Sequence, residues 1–429
     1  MKLFFVVIDG MGDRPIAALN NRTPLAVAAT PHLDHLAQRG KTGLMYTVRK
    51  GIAPQSDVGV VSILGYDPVK YPASRGVMEA VGSGVVFNDG DLALRCNFAT
   101  FDCHRAIIDR RAGRNLTAEE TTRLSREINA KVTLNSHPAS FEFTNTIGHR
   151  AVLVIRGMNT PLSGLITNTD PAYMRMDGMG VVNPNAQRTV QTCEPMEETE
   201  AAQLAADLVN EFVAESHTVL QQSAVNQQRH AAGQLCANGI LTRDAGHRRP
   251  AFFNITDRYN VKFCCITNMP LEVGIAKLMG MNTTHLPRSK GDLEADCRLT
   301  VDTLLRVLEL YDGFYIHLKG PDEPGHDGDY LRKTELMAII DKQFFAPLLA
   351  NRRFHESLFC VTSDHATPCT LKAHSDDPVP LLIAGGTVPS DGTVDFSEAA
   401  CNNGSLGLLA HGHTLMPYLM KLYHNSTDR

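Results

Sequence analysis

Residues able to bind a metal ion recur at the ends of apolar runs in this chain. The segment 319–329 reads KGPDEPGHDGD and follows the apolar run Phe314–Leu318. It carries Asp322 and His326, four residues apart, with Pro324 and Gly325 between them. An extended run that ends in Gly and Pro reads as a strand delivering a loop at its C-terminal end. Neutral imidazole and ionised carboxylate converging on one point make a metal site. Alone, this stretch reads equally as a solvated acidic loop with a surface histidine. The apolar run Leu358–Thr362 ends in Ser363-Asp364-His365, His374 follows, and another run spans Val379–Ala384. The N-terminal run Leu3–Ile8 ends in Asp9-Gly10-Met11-Gly12-Asp13. Solvation does not explain several strand ends that all carry Asp or His.

In open α/β sheets, ligands bind beyond the carboxyl ends of the strands. Asp9, Asp322, His326, Asp364, His365 and His374 all fall at or just past such ends. Six protein ligands are too many for one zinc-like ion and suit two, an arrangement that stabilises both attacking and leaving oxygens in phosphoryl displacement. Ser56 lies between the Gly/Pro-rich turn 51–55 and a helix expected over Val58–Leu64. A hydroxyl there has backbone N–H groups and the positive end of the helix dipole beside it, which favours an attacking alkoxide and a bound phosphate. An N-cap serine is the plainer account of the same position. Arg105, Arg110, Arg111 and Arg114 crowd one short stretch. Their planar forks suit phosphate or carboxylate, the alternative being a solvated charged face.

The elements that must position these groups follow from periodicity. Leu3–Ile8 suits a central strand covered on both faces. A helix is expected from Pro31, after Thr30, and a strand over Thr42–Val48. From about Leu92 the texture changes. The stretch predicts short strands at 106–108, 131–134, 140–143 and 151–155, a polar helix after Asn115 and a long loop over Thr167–Asn185. A helix is predicted over Glu200–Leu220, followed by a polar stretch over 221–250. From Asn260 strands alternate again with helices: strands at 261–267 and 314–318, helices at 271–279 and 299–310. Such alternation indicates an α/β fold with a parallel sheet. The expected organisation is one domain built from 1–90 and 255–429, with a smaller α+β domain inserted at 91–254. No internal repeat is present.

Composition sets the class. The chain has 429 residues, 43% of them hydrophobic and 20% charged, with a net charge of −5. That length permits a sizeable core, and the charge points to neither a nucleic acid nor a membrane as partner. Ten scattered cysteines without a Cys-x-x-Cys pair read as reduced thiols, hence a cytoplasmic location. A homo-oligomer is compatible with this composition. The run after Lys2 is too short for a signal peptide and leads straight into Asp9.

VVIDGMGDRP, SDVGVVSILGYDP, LRCNFAT, IIDRRAGR, HLKGPDEPGHDGD, TSDHATP and KAHSDDPVP, taken together and in this order, resemble the archaeal-type cofactor-independent phosphoglycerate mutases of the alkaline phosphatase superfamily. The resemblance spans nearly the whole chain. It implies an alkaline-phosphatase-like fold, a mainly parallel sheet flanked by helices. It implies interconversion of 2-phosphoglycerate and 3-phosphoglycerate, in glycolysis and gluconeogenesis, through a phosphoserine on Ser56. It assigns Asp322, His326 and His374 to one divalent ion, and Asp9, Ser56, Asp364 and His365 to the other. Manganese is the implied metal, with zinc, magnesium or cobalt as alternatives. Arg75, Arg95, Asp109, Arg110, Arg111, Arg114, Arg243 and Lys319 are implied substrate contacts. The sequence departs from the family's pattern at Gln55, at Val58-Gly59-Val60 and at Ser289-Lys290-Gly291, and every metal position is intact. A phosphatase or mutase for another phosphate ester shares the same site chemistry. A non-catalytic metal-binding module is the remaining alternative.

Overall fold

The computed structural model describes residues 1–176, 179–183, 185–287, 289 and 291–427. The described chain divides into two compact units, Met1–Tyr71 with Phe252–Arg429, and Pro72–Ala251. The first boundary falls before the helix Arg75–Gly82. Val77 and Ala80 of that helix are buried with Phe87, Ala93, Val152 and Val154, all in the second unit.

The first unit is built on an eight-stranded sheet among the described residues. Its order is Asn282–His285, Phe263–Thr267, Gly313–Leu318, Leu3–Ile8, Leu358–Thr362, Val379–Gly385, Gly40–Met45 and Gly407–Leu409. Only Val379–Gly385 runs against its neighbours, so the sheet is mainly parallel. Every residue of Leu3–Ile8, Gly313–Leu318 and Leu358–Thr362 is buried. These adjacent central strands run in one direction, with Ile8 beside Leu318 and Val7 beside Thr362. Their carboxyl ends therefore emerge side by side. Phe4 anchors the core between them, its ring 5.4 Å from that of Phe314, 5.0 Å from Phe359 and 5.2 Å from Phe354.

Several elements differ from the sequence expectation, each for a physical reason. The expected strand Thr42–Val48 runs instead over Gly40–Met45, because its partner begins at Val379, opposite Met45. The expected loop after Leu318 contains a short helix, Asp322–Asp327, closed by Gly328 at φ 79. Pro321 and Pro324 lie where an N–H would have no helical partner. Helical spacing puts Asp322 and His326 on one face.

The second unit has a sheet of Ile107–Asp109, Leu92–Phe101, Arg150–Gly157 and Ala139–Asn145, with Gly239–Gly246 also paired to Leu92–Phe101. The helices Ala118–Lys131 and Glu200–Gln221 contribute Leu124, Ile128, Phe212 and Val213 to the same core as Leu94 and Phe98. The expected strand 131–134 is absent. A reciprocal Thr117/Glu120 capping box starts a 14-residue helix that ends at Lys131. The expected loop Thr167–Asn185 holds a two-stranded ribbon, Tyr173–Met176 with Met179–Val182, and its residues 177, 178 and 184 lie outside the described set. The polar stretch 221–250 hides the helix Ala224–Ala231 and the buried strand Gly239–Gly246. All ten cysteines are free. No described helix is long and apolar enough to cross a membrane.

Because Phe4 is fully buried among three aromatic rings, Phe4→Ala should lower stability by about 3–5 kcal/mol. Urea denaturation followed by circular dichroism measures the loss.

Candidate metal centre

The turn after Leu3–Ile8 delivers Asp9, and Gly10 at φ +62 lets that turn pass close to Asp322. A Cβ on Gly10 would stand 2.7 Å from the Asp322 Cα. The turn after Leu358–Thr362 delivers Asp364 and His365, both fully buried. Two groups of potential ligand atoms, each within 4.8 Å of one another, result among the described residues: Asp322, His365 and His374, and Asp9, His317 and Asp364.

His365 stands where the two groups meet. Its Nε2 is 3.4 Å from Asp9 Oδ1 and 3.3 Å from Asp364 Oδ2, and its ring stacks on His374 at 3.7 Å. Its Nδ1 is 2.9 Å from the Thr367 hydroxyl, which donates to Asp322 Oδ1 at 2.8 Å. The hydroxyl therefore accepts from Nδ1–H, and Nε2 carries the lone pair. His374 and His326 follow the same rule. Their Nδ1 atoms donate to the carbonyls of Pro54 at 2.8 Å and Lys372 at 3.2 Å, and their Nε2 atoms lie 3.4 Å and 3.5 Å from Asp322 Oδ1. Fixing Nδ1 and freeing Nε2 is how proteins prepare histidine for a metal.

Ser56 is the first residue of the helix Ser56–Ile63, and Gln55 rather than Ser56 is its N-cap. The Ser56 hydroxyl donates to His365 Nε2 at 3.2 Å. Gly59, one turn further on, explains the close approach. A Cβ there would stand 2.2 Å from the carbonyl oxygen of Asp364, so only glycine lets this helix lie against the Asp364 turn. The unusual Val58-Gly59-Val60 thus has a packing role. Of the other departures, Lys290 lies outside the described residues.

The electrostatics call for a cation. Asp9, Asp364 and Glu272 are buried carboxylates, with Lys319 Nζ 2.9 Å from Asp9 Oδ2 and 2.7 Å from Glu272 Oε1. Burial pushes the Asp364 carboxyl well above the usual range, and the charge of Asp9 adds to it. Burial most strongly opposes Asp9 ionisation, but Lys319 together with His365 and His317 outweighs it and holds Asp9 below its ordinary value. His317 is pushed down to about 4 by burial and by Lys319, so it is neutral near pH 7. Asp9 Oδ1, Asp364 Oδ2 and His317 Nε2 are buried without a hydrogen-bond partner. Orphaned buried carboxylate oxygens beside neutral imidazoles are the donor set that divalent ions bind, so the residues present fit such ions. His317 and Glu272 were not singled out from sequence. The available signal was position: His317 lies two residues before Lys319 on a strand whose end bears ligands.

The remaining candidates lie in the second unit. Arg95 and Arg243 are cross-strand partners, and both are buried. The Nε of Arg95 and the Nη1 of Arg243 lack a hydrogen-bond partner. Glu79 offsets part of this charge, 2.7 Å from Arg75 and 3.7 Å from Arg95. Arg243 lies 3.5 Å over the ring of Tyr173 and Arg110 lies 5.0 Å from it. Arg243, working against burial, holds the Tyr173 phenol down to about 7, with help from Arg110 and Arg95. Arg110 also pairs with Asp170. Arg111 is half-buried and Arg105 and Arg114 are exposed. Asp109 accepts from the backbone N–H of Arg111 and so shapes this turn. Sequence reading missed Tyr173 because it falls in the stretch expected to be a loop.

Comparison with known proteins supplies a family. Residues 37–226 match the family described as 2,3-bisphosphoglycerate-independent phosphoglycerate mutase. A protein of that name from Aeropyrum pernix is 40% identical, covering 98% of this chain and 99% of its own. One from Thermococcus kodakarensis is 34% identical over 99% of this chain and 98% of its own. Among solved structures, a Pyrococcus horikoshii protein matches with TM-score 0.77 and 29% identity, over 99% of this chain and 98% of that one. A cofactor-independent phosphoglycerate mutase from Thermoplasma acidophilum matches with TM-score 0.60 and 29% identity, over 98% and 100%.

Two substitutions test the geometry. Gly59→Ala must push the start of the Ser56 helix away from Asp364, and a displacement near 1 Å costs about a hundredfold in turnover. Thr367→Val removes the hydroxyl that fixes the tautomer of His365 and bonds Asp322, and should weaken divalent-ion binding about 10–100-fold. Steady-state kinetics checks the first and calorimetric metal titration the second.

Proposed function

The chain belongs to the 2,3-bisphosphoglycerate-independent phosphoglycerate mutases, and from this premise we propose that it interconverts 2-phosphoglycerate and 3-phosphoglycerate through a phosphoserine on Ser56. The observation that carries the reading is the Ser56 hydroxyl, set at a helix start and 3.2 Å from His365 Nε2 inside a buried array of carboxylates and imidazoles. The reaction serves glycolysis and gluconeogenesis in the cytoplasm.

Asp322, His326 and His374 would hold one divalent ion, and Asp9, Asp364, His365 and Ser56 the other. When bound, such ions, manganese first and zinc, magnesium or cobalt as alternatives, supply charge stabilisation to phosphoryl transfer and acidify the serine hydroxyl. The chain's own groups do the rest. The Ser56 oxygen forms its bond to phosphorus as the bond to one glycerate oxygen breaks, and that oxygen gains the proton that serine gives up. Glycerate turns in place. Its other hydroxyl then takes the phosphoryl group and returns a proton to Ser56. The backbone N–H groups at the start of the Ser56 helix favour the phosphate in both half-reactions. Lys319 adds a cation next to Asp9.

A mutase, unlike a phosphatase, must retain glycerate between the two transfers. Arg75, Arg95, Arg110, Arg111, Arg114 and Arg243 are the candidates for gripping its carboxylate, with Asp109 shaping their turn. Arg95 and Arg243 support this reading best, since both are buried with guanidinium nitrogens that lack a partner. Charge-assisted contacts of this kind contribute about 1.5–3 kcal/mol each.

Ser56→Ala should abolish transfer while two divalent ions still bind, and mass spectrometry of enzyme quenched in turnover should find phosphate on the Ser56 peptide. Phosphate on a histidine would overturn the assignment. A chelator should abolish conversion of 3-phosphoglycerate, and manganese should restore it. Arg111→Ala should cut isomerisation about 10–100-fold and raise the ratio of free phosphate to 2-phosphoglycerate. Both products are measured in one reaction, and equal falls would return Arg111 to the solvated surface.

A further inference from the structure

Lys333 is a fully buried lysine on the helix Tyr330–Ile340, outside the set of candidate ligands. Its ammonium donates to the Gly12 carbonyl at 3.1 Å, to Asp13 Oδ2 at 2.8 Å and to the Thr367 carbonyl at 2.9 Å. An ammonium has three N–H donors and no acceptor, so each donor has one partner here. Those partners come from the two turns that carry Asp9 and Asp364–His365. The helix bearing Lys333 follows directly on Asp322–Asp327, the source of the third group of ligands. We propose that Lys333 is the positioning residue of the metal centre, an internal cation that fixes the spacing of all three ligand-bearing segments. This inference rests on the metal-site reading given above.

The connections beyond the ammonium support it. Asp13 continues the link, accepting from the backbone N–H of Cys369 at 3.2 Å and of Arg14 at 2.8 Å. Thr367, whose carbonyl Lys333 holds, is the residue whose hydroxyl bonds both His365 and Asp322. One residue thus separates the ammonium from two ligands. The helix Asp322–Asp327 is pressed against the same point, since a Cβ on Gly325 would stand 2.6 Å from the Thr367 carbonyl oxygen.

Stability alone is a poor reason for this pair. Burying a lysine and an aspartate costs several kcal/mol of hydration, and apolar replacements of similar volume are often neutral or stabilising. The retained charge makes sense if the spacing of the turns is what matters. The head group matters too. Three donors diverge from one tetrahedral nitrogen, whereas the planar guanidinium of arginine presents its donors in a fork.

The test is calorimetric titration of the metal-free full-length protein with manganese chloride, comparing wild type with Lys333→Met. The variant should bind manganese about 10–100-fold more weakly. Its half-maximal manganese concentration for activity should rise by a similar factor. The KM for 3-phosphoglycerate at saturating manganese should stay within about twofold, because Lys333 touches no candidate substrate group. Should Lys333→Met fail to fold, Asp13→Asn keeps the side-chain shape and loosens the same clamp, and several-fold weaker binding is expected. Either variant, folded and binding manganese as wild type does, overturns the inference alone. A wild type that binds no divalent ion overturns it together with the proposed function.

Discussion

Buried carboxyl groups beyond the carboxyl ends of the central strands are the constraint on which the first unit depends. Asp9 and Asp364 sit at neighbouring strand ends, and each has an oxygen without a hydrogen-bond partner. Glu272 adds a third buried carboxylate, while Lys319 supplies one cation. Ionised groups removed from water cost several kcal/mol each unless compensated. The hydrophobic frame around Phe4 and its aromatic neighbours must therefore hold an arrangement that is unfavourable by itself. Glycine makes the frame close enough. At Gly10 and Gly59 a single added carbon would meet the backbone of Asp322 or Asp364 at 2.7 Å and 2.2 Å.

The imidazoles answer this charge without adding to the cost. Protonated histidines could neutralise the carboxylates, but burial and neighbouring cations disfavour the charged form at His365 and His317. Backbone carbonyls and the Thr367 hydroxyl hold Nδ1–H of His326, His374 and His365, which commits each Nε2 to the centre. What remains is a set of imidazole nitrogens and carboxylate oxygens, with His365 and His317 held neutral and Asp322 drawing His374 toward its charged form, that an external cation would complete. The chemistry of such a cation, rather than a pair of acid and base side chains, is what the fold prepares.

The strands Leu3–Ile8 and Leu358–Thr362 were legible because their burial on both faces is written as unbroken apolar sequence. The ligands at their ends were legible because a short turn keeps Asp9, Asp364 and His365 next to the run that delivers them. His317, Glu272 and Lys333 were not, since each matters through a contact far away in sequence. Lys333 meets Gly12 and Thr367, and Glu272 meets Lys319, and no local spacing announces such pairs. The strand Gly239–Gly246 was hidden by its own chemistry. Thr242 and Arg243 look like surface residues, yet pairing with Leu92–Phe101 buries them. Tyr173 was hidden by a Gly- and Met-rich ribbon without a clear period of two.

The two units carry opposite electrostatic needs, and this bears on the choice among phosphate chemistries. The first unit's centre is too negative to receive a phosphate until cations fill it. The second unit's Arg95 and Arg243 are buried with guanidinium nitrogens that lack partners, although Glu79 and Tyr173 stand beside Arg75, Arg95 and Arg243. A buried, partly unsatisfied guanidinium pair is costly unless an anion relieves it. A phosphatase gains nothing from that cost, because its released alcohol carries no charge worth retaining. An enzyme that moves phosphate between two hydroxyls of a carboxylic acid does gain, because the carboxylate is the one group of glycerate that stays charged while the phosphate is on serine. On the proposed reading, Arg95 and Arg243 are where a mutase differs physically from a phosphatase, and the metal centre is where the two are the same.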